Sequence, residues 1–173
     1  VLLKNEKKTL PIPSGVKSIA VIGPLADSKA DMLGFWSAAG QWEKCVTLLE
    51  GIRNRAGSNV NVLTAKGCNV NDNDLSAINQ AISVARRADF VVLALGETKD
   101  MSGEAASRSS LDLPGHQEKL VKAIYETGTP TIVVLMNGRP LTIAWIAEKI
   151  PAILETWQLG VQCGNAIADV IFG

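Results

Sequence analysis

At 173 residues the chain has the length of one large domain, and its 47% hydrophobic content is enough to build a real core. The 17 basic and 17 acidic side chains cancel, which argues against nucleic acid or an anionic membrane as a partner, since both select a basic surface. No apolar run approaches the ~20 residues of a bilayer-spanning helix, and Cys45, Cys68 and Cys163 are too scattered for a metal cluster or a disulfide framework.

In chain order, "VKSIAVIGP" (16–24) is a short continuous apolar run, the signature of a strand buried on both faces. "EKCVTLLEGIRNRAG" (43–57) sets Val46, Leu49 and Ile52 on one helical face and stops at Gly57. "NVNVLTAKG" (59–67) is a strand with β-branched content. "NDLSAINQAISVARRA" (73–88) opens on Asn and Asp as capping candidates and aligns Leu75, Ile78, Ile82 and Ala85. "DFVVLALG" (89–96) is another buried strand.

A long polar loop follows, "GETKDMSGEAASRSSLDLPGHQ" (96–117). "HQEKLVKAIYETG" (116–128) then reads as a helix and "TIVVLMNG" (131–138) as a strand. "LTIAWIAEK" (141–149) is a short helical turn, "AILETW" (152–157) a fifth strand and "GNAIADVIFG" (164–173) a final helix. Alternation of this kind, with all-apolar strands, predicts an α/β three-layer sandwich: a mostly parallel sheet with helices on both faces. Ligands of such sheets gather outside the carboxyl ends of the strands. Here that edge is built from Gly23–Asp27, Gly96–Leu113, Asn137–Pro140 and Thr156–Gly160. The chain opens on Val1 rather than Met and ends directly after an apolar helical stretch, so residues 1–173 are expected to be one domain of a larger protein.

A nucleotide site is poorly supported. "GPLADS" has one glycine where a dinucleotide fingerprint has three, and Pro24 removes a backbone donor that a phosphate would use. No G-x-S-x-G elbow is present. The single histidine, His116, falls at a predicted helix start and suits a surface or cap position. Zinc would need His or Cys ligands at spacings the chain lacks. No metal and no cofactor are called for, and each cysteine is expected to be a small buried hydrophobe.

The long loop carries two glutamates. A general acid must hold its proton near neutral pH, which partial burial or a second carboxylate can arrange. Glu104, in "SGEAASR", sits among small residues that let a ligand approach; Glu97, at the strand end, suits a fixed structural role. The alternative for either is a solvated loop carboxylate. "MLGFWSAAG" (32–40) sets Trp36 among small residues. An indole face suits the C–H face of a sugar ring, and equally suits packing on the domain's own surface. Trp42, Trp145 and Trp157 are expected to be packing residues.

Four blocks, "VIGPLADSKADMLGFWSAAG", "GEAASRSSLDLPGHQEKLVKAI", "VVLMNGRPL" and "AILETWQLGVQCGNAIADVIFG", resemble in order the second domain of family 3 glycoside hydrolases, in the periplasmic β-glucosidase branch. The opening "VLLKNEKKTLPI" is similar to the family's entry into this domain. The resemblance implies a six-stranded α/β sandwich in a β-glucosidase or related exo-acting, retaining β-glycosidase. It further implies a preceding barrel domain with an aspartate nucleophile, a β-linked glucoside or oligosaccharide substrate, and a periplasmic or secreted location. It places Glu104 at the acid/base position and Trp36 beside the bound sugar, with Met101, Ser102 and Arg108 as pocket-lining residues. The domain is expected to be inactive alone.

Two departures stand out. The barrel is absent from these residues, and the segment between Val70 and Asp74 is shorter than in many relatives, away from the acid loop. A guanidinium beside a carboxyl favours its charged form, the wrong direction for a proton donor. Arg108 is therefore expected to point at the loop backbone, another acid or the substrate. The competing functions are a non-catalytic sugar- or partner-binding module and a flavodoxin-like nucleotide binder.

Overall fold

A computed structural model describes residues 1–173. Its strands are β1 (Leu2–Asn5), β2 (Ser18–Ile22), β3 (Asn61–Ala65), β4 (Phe90–Gly96), β5 (Thr131–Met136) and β6 (Ala152–Glu155). The helices are α1 (Ala30–Leu33), α2 (Leu48–Ala56), α3 (Ile78–Ala85), α4 (Gln117–Tyr125), α5 (Ala144–Lys149) and α6 (Cys163–Phe172). The strands form one sheet in the order β1-β6-β5-β4-β2-β3. All five apolar runs pair in parallel, with Val21 opposite Val92 and Leu93 opposite Val133 at the centre. Every residue of β4 is buried, as expected for a strand with helices above and below.

The sixth strand is the one that apolar patterning does not reveal. β1 runs antiparallel at the edge beside β6, pairing Leu2 with Leu154 and Asn5 with Ala152. Its Leu2 and Leu3 are about half exposed, so it has no buried face to read. Backbone bonds pair it with β6 and continue to Glu6 N–H on Pro151 O at 2.7 Å, and Lys4 Nζ adds a bond to Ala147 O at 2.7 Å.

Alternate side chains of the parallel strands enter two separate cores. Ile19, Val21, Val92 and Val134 pack with α2 and α6 on one face; Ile22, Leu93, Leu95 and Leu135 pack with α3, α4 and α5 on the other. The three cysteines are free and buried in these cores, and burial pushes Cys68 and Cys163 up to about 11.

Two helix starts differ from the expectation. α2 begins at Leu48 rather than near 43, because Thr47 caps it: Glu50 N–H donates to Thr47 Oγ1 at 3.1 Å and Thr47 N–H to Glu50 Oε2 at 2.9 Å. α3 begins at Ile78, beyond the candidate caps at 73 and 74. Asp74 accepts from Ser76 N–H and Ser76 Oγ instead, closing a separate turn that delays the helix.

α2 and α6 touch through glycines. A Cβ at Gly51 would lie 2.1 Å from Gly164 O, and one at Gly164 would lie 1.9 Å from Thr47 O. Gly51→Ala is therefore expected to destabilise the fold by about 1–3 kcal/mol through overpacking. The measurement is the denaturant midpoint, with Gly15→Ala as control, since a Cβ at Gly15 meets nothing within 4 Å.

Glu155 ends β6 and is 6% exposed. Burial raises its carboxyl above the ordinary range, opposed by the Trp157 N–H (3.0 Å) and the Asn137 amide (3.3 Å) that donate to it. The folded chain thus holds this proton to higher pH than the unfolded chain. Stability from the site is greatest below the unfolded carboxylate range and falls as pH rises through the folded value. Glu155→Gln should gain stability relative to the wild type between about pH 4 and about pH 7, as read from melting temperatures across that range.

Candidate active site

The long loop leaves β4 through Gly96, whose φ is +141°; a Cβ there would fall 2.0 Å from Met136 O. Only glycine permits both this backbone and this approach. The two ends of the loop are then stapled by the buried amide of Gln117. Gly96 N–H donates to its Oε1 at 2.8 Å, and its Nε2 donates to Gly96 O at 2.8 Å and Pro114 O at 3.2 Å. His116 occupies the position before α4 without capping it through its ring. The loop has internal order as well: a 3₁₀ turn at Lys99–Met101 and a parallel bridge from Asp112 to Thr142.

Glu97 is 1% exposed and meets two guanidinium groups. Arg108 Nη1 lies 2.7 Å from its Oε1, and Arg139 Nε lies 3.1 Å from the same oxygen. Both arginines also donate to loop carbonyls. Arg108 Nη2 bonds Asp112 O at 2.9 Å; Arg139 Nη2 bonds Ala106 O at 2.7 Å and also Met101 O. Of the three directions open to Arg108, the structure gives two together: another acid and the loop backbone.

Glu104 stands at the tip. It occupies the first central position of a turn closed by Ala106 N–H to Gly103 O, with Ala105 at a φ of +60° beside it. Its carboxylate is exposed and makes no hydrogen bond within the chain. Gly103 lies on Phe35, where a Cβ would fall 2.5 Å from the ring. Phe35 in turn meets Trp36 edge-to-face, with centroids 5.3 Å apart and planes at 83°. Trp36 is 72% exposed. Asp31 ties the two loops at their base by accepting from Lys99 N–H at 2.7 Å and from Ser28 Oγ at 2.5 Å.

Met101 is half-buried, and Ser102 is buried with its hydroxyl over Gly138, where a Cβ would come within 1.8 Å. The structure thus gathers Trp36, Met101, Ser102, Glu104 and Arg108 at one edge of the sheet, with only Trp36 and Glu104 fully outward. No group of three or more His, Cys, Asp or Glu is placed to hold a metal ion.

Three expectations need correction. Trp145 packs as foreseen, edge-to-face on Tyr125 at 5.5 Å, whereas Trp42 and Trp157 are 48% and 40% exposed. Trp157 has a φ of +51°, held by its N–H bond to Glu155, and this turns the indole outward at the site's edge. The short segment after Val70 does meet the end of the acid loop: Gln117 Nε2 donates to Val70 O at 3.0 Å, and Asp72 backbone lies against Gly115. Sequence reasoning also missed Arg139, Gln117 and Phe35. Arg139 lies in "VVLMNGRPL", and its signal is a basic residue just past one strand end with an acid, Glu97, just past the end of another.

Two buried polar atoms at this edge, Asn137 Oδ1 and Gln158 Nε2, have no partner in the chain. The largest cleft, about 660 Å³, lies at the opposite, amino-terminal edge between Glu6, Tyr125, Thr129 and Lys149. It is far from the loop chemistry. Neither Glu104 nor Trp36 lines a cavity in this chain.

Comparison with known proteins bears on what this edge is for. The profile described as "Glycosyl hydrolase family 3 C-terminal domain" matches residues 1–173. A periplasmic beta-glucosidase of Salmonella typhimurium is 43% identical over 100% of this chain and 25% of its own length. A beta-xylosidase of Formosa agariphila is also 43% identical, with the same two shares. The solved beta-glucosidase of Listeria innocua in complex with glucose has a TM-score of 0.89 and 34% identity, over 100% of this chain and 23% of the neighbour. The chain spans about a quarter of the length of the curated relatives it matches. A profile match from first residue to last, two relatives aligned throughout, and one shared fold lead to a single conclusion: this chain belongs to the glycosyl hydrolase family 3 C-terminal domain family.

Proposed function

We propose that the chain is the second domain of a retaining β-glucosidase or related exo-β-glycosidase, and that Glu104 is its acid/base residue. The observation that carries this is Glu104 itself: an exposed, unpartnered carboxylate on a tight turn, beside an outward tryptophan, at the carboxyl edge of a parallel sheet. Retention needs two carboxyl groups about 5–5.5 Å apart. The buried Glu97 is committed to two arginines and is unsuited to be the second. We assign the nucleophile to a barrel domain of the same protein, in keeping with the share of its relatives that this chain covers. The pocket then forms between domains, a common place for ligand sites.

In the first step the Glu104 carboxyl protonates the glycosidic oxygen as the nucleophile attacks the anomeric carbon, and the alcohol leaves. In the second, the Glu104 carboxylate takes a proton from water as it attacks the glycosyl-enzyme, which restores both groups. Trp36 stacks on the sugar's C–H face, and Met101 and Ser102 complete that side of the pocket. Arg108 acts through the loop it holds rather than on the sugar. By analogy with the Salmonella relative, the whole enzyme is assigned to the periplasm or the cell exterior.

Glu104→Gln in the whole enzyme should lower kcat/KM for cellobiose by about 10²–10⁴-fold, the range for loss of a general acid. Activated aryl glucosides, whose leaving groups need no proton, should lose far less. Unchanged turnover of cellobiose would point instead to the sugar-binding module. Trp36→Ala should raise KM roughly fivefold, an aromatic contact being worth about 1 kcal/mol, with little change in kcat; steady-state kinetics on cellobiose measure both.

A further inference from the structure

A turn on a 20-residue excursion is a poor place for a proton donor unless something fixes it. The Gln117 staple joins the ends of the loop but does not reach its tip. The tip is reached by Arg139, which enters from the end of β5, a different strand. Its Nη2 donates to the carbonyls of Met101 and Ala106, three residues before Glu104 and two after it. Arg108 grips the descending limb through Asp112 O at 2.9 Å. Both guanidiniums converge on one carboxylate, Glu97, whose side chain is fully buried.

We infer that Glu97 is a positioning residue for the hydrolytic reaction. With Arg108 and Arg139 it forms a clamp that sets where the Glu104 turn stands. This rests on the acid/base reading above. The acid is held where it can meet a glycosidic oxygen, and a displacement of 1 Å far from the chemistry can cost on the order of 100-fold in rate. The charged groups at this loop are Glu97, Lys99, Asp100, Glu104, Arg108, Asp112 and, from the adjoining segments, Asp31 and Arg139. Glu97 is the one carboxylate that pairs with either arginine.

The test compares Glu97→Gln, Arg139→Lys and Glu104→Gln in the whole enzyme, on cellobiose and on 2,4-dinitrophenyl β-glucoside. The clamp predicts that Glu97→Gln and Arg139→Lys lower kcat/KM on the order of 100-fold for cellobiose and less than about tenfold for the activated glucoside. Glu104→Gln should show the same selectivity. If Glu97→Gln does not fold, Arg139→Lys carries the test, because it keeps the charge and loses the Nη2 bonds. Equal losses on both substrates, or selective loss in Glu104→Gln alone, would overturn the clamp. If Glu104→Gln shows no selectivity, the acid assignment fails instead. The clamp is then judged by hydrogen exchange of amides 99–112: faster exchange in Glu97→Gln and Arg139→Lys supports it, and unchanged exchange sinks it.

Discussion

A carboxylate withdrawn from water must be met by charge and hydrogen bonds inside the protein, or it is not tolerated there. Glu97 obeys that rule at the end of the central strand, where it is 1% exposed and faces two arginines. Much else at this edge follows from it. The arginines that answer Glu97 have donors to spare, and they direct those donors at backbone carbonyls of the loop. A group whose burial would be costly alone thereby organises a segment that has no core of its own.

The sheet supplies the frame for this. β4 lies between β2 and β5 with both faces covered, so its carboxyl end is fixed by two cores at once. Glycines allow close approach where a Cβ would collide: Gly96 on the Met136 backbone, Gly103 on the Phe35 ring, Gly138 under the Ser102 hydroxyl. The last two couple one loop to another. The Trp36 segment is tied to the acid loop by Asp31 and Phe35, and to the segment after β6 by Gly160 N–H to Met32 O at 2.8 Å.

The surface at that edge has the opposite character. Phe35, Trp36, Trp157 and Leu159 are each at least 40% exposed, and Glu104 projects among them without a partner. A rigid floor under an apolar, unpartnered rim suits a half-site that a second domain completes. It suits poorly a module that closes its pocket by itself.

The sequence by itself determined the parallel sheet, its five parallel strands and the helices on both faces, because apolar periodicity is a local signal tied to burial. It also singled out Glu104 and Trp36, because short motifs among small residues survive as text. It did not reveal β1, whose pairing is made by backbone atoms that every residue carries. Nor did it separate Trp145, which packs, from Trp42 and Trp157, which do not, since residue type says nothing of which way a loop turns. Arg108 could be named but not aimed. Only the tertiary structure decided that, by bringing residues 97, 108 and 139 into one ion-paired cluster. Charges far apart in the chain are coupled through space, and the register of β4 beside β5 sets the distance between them.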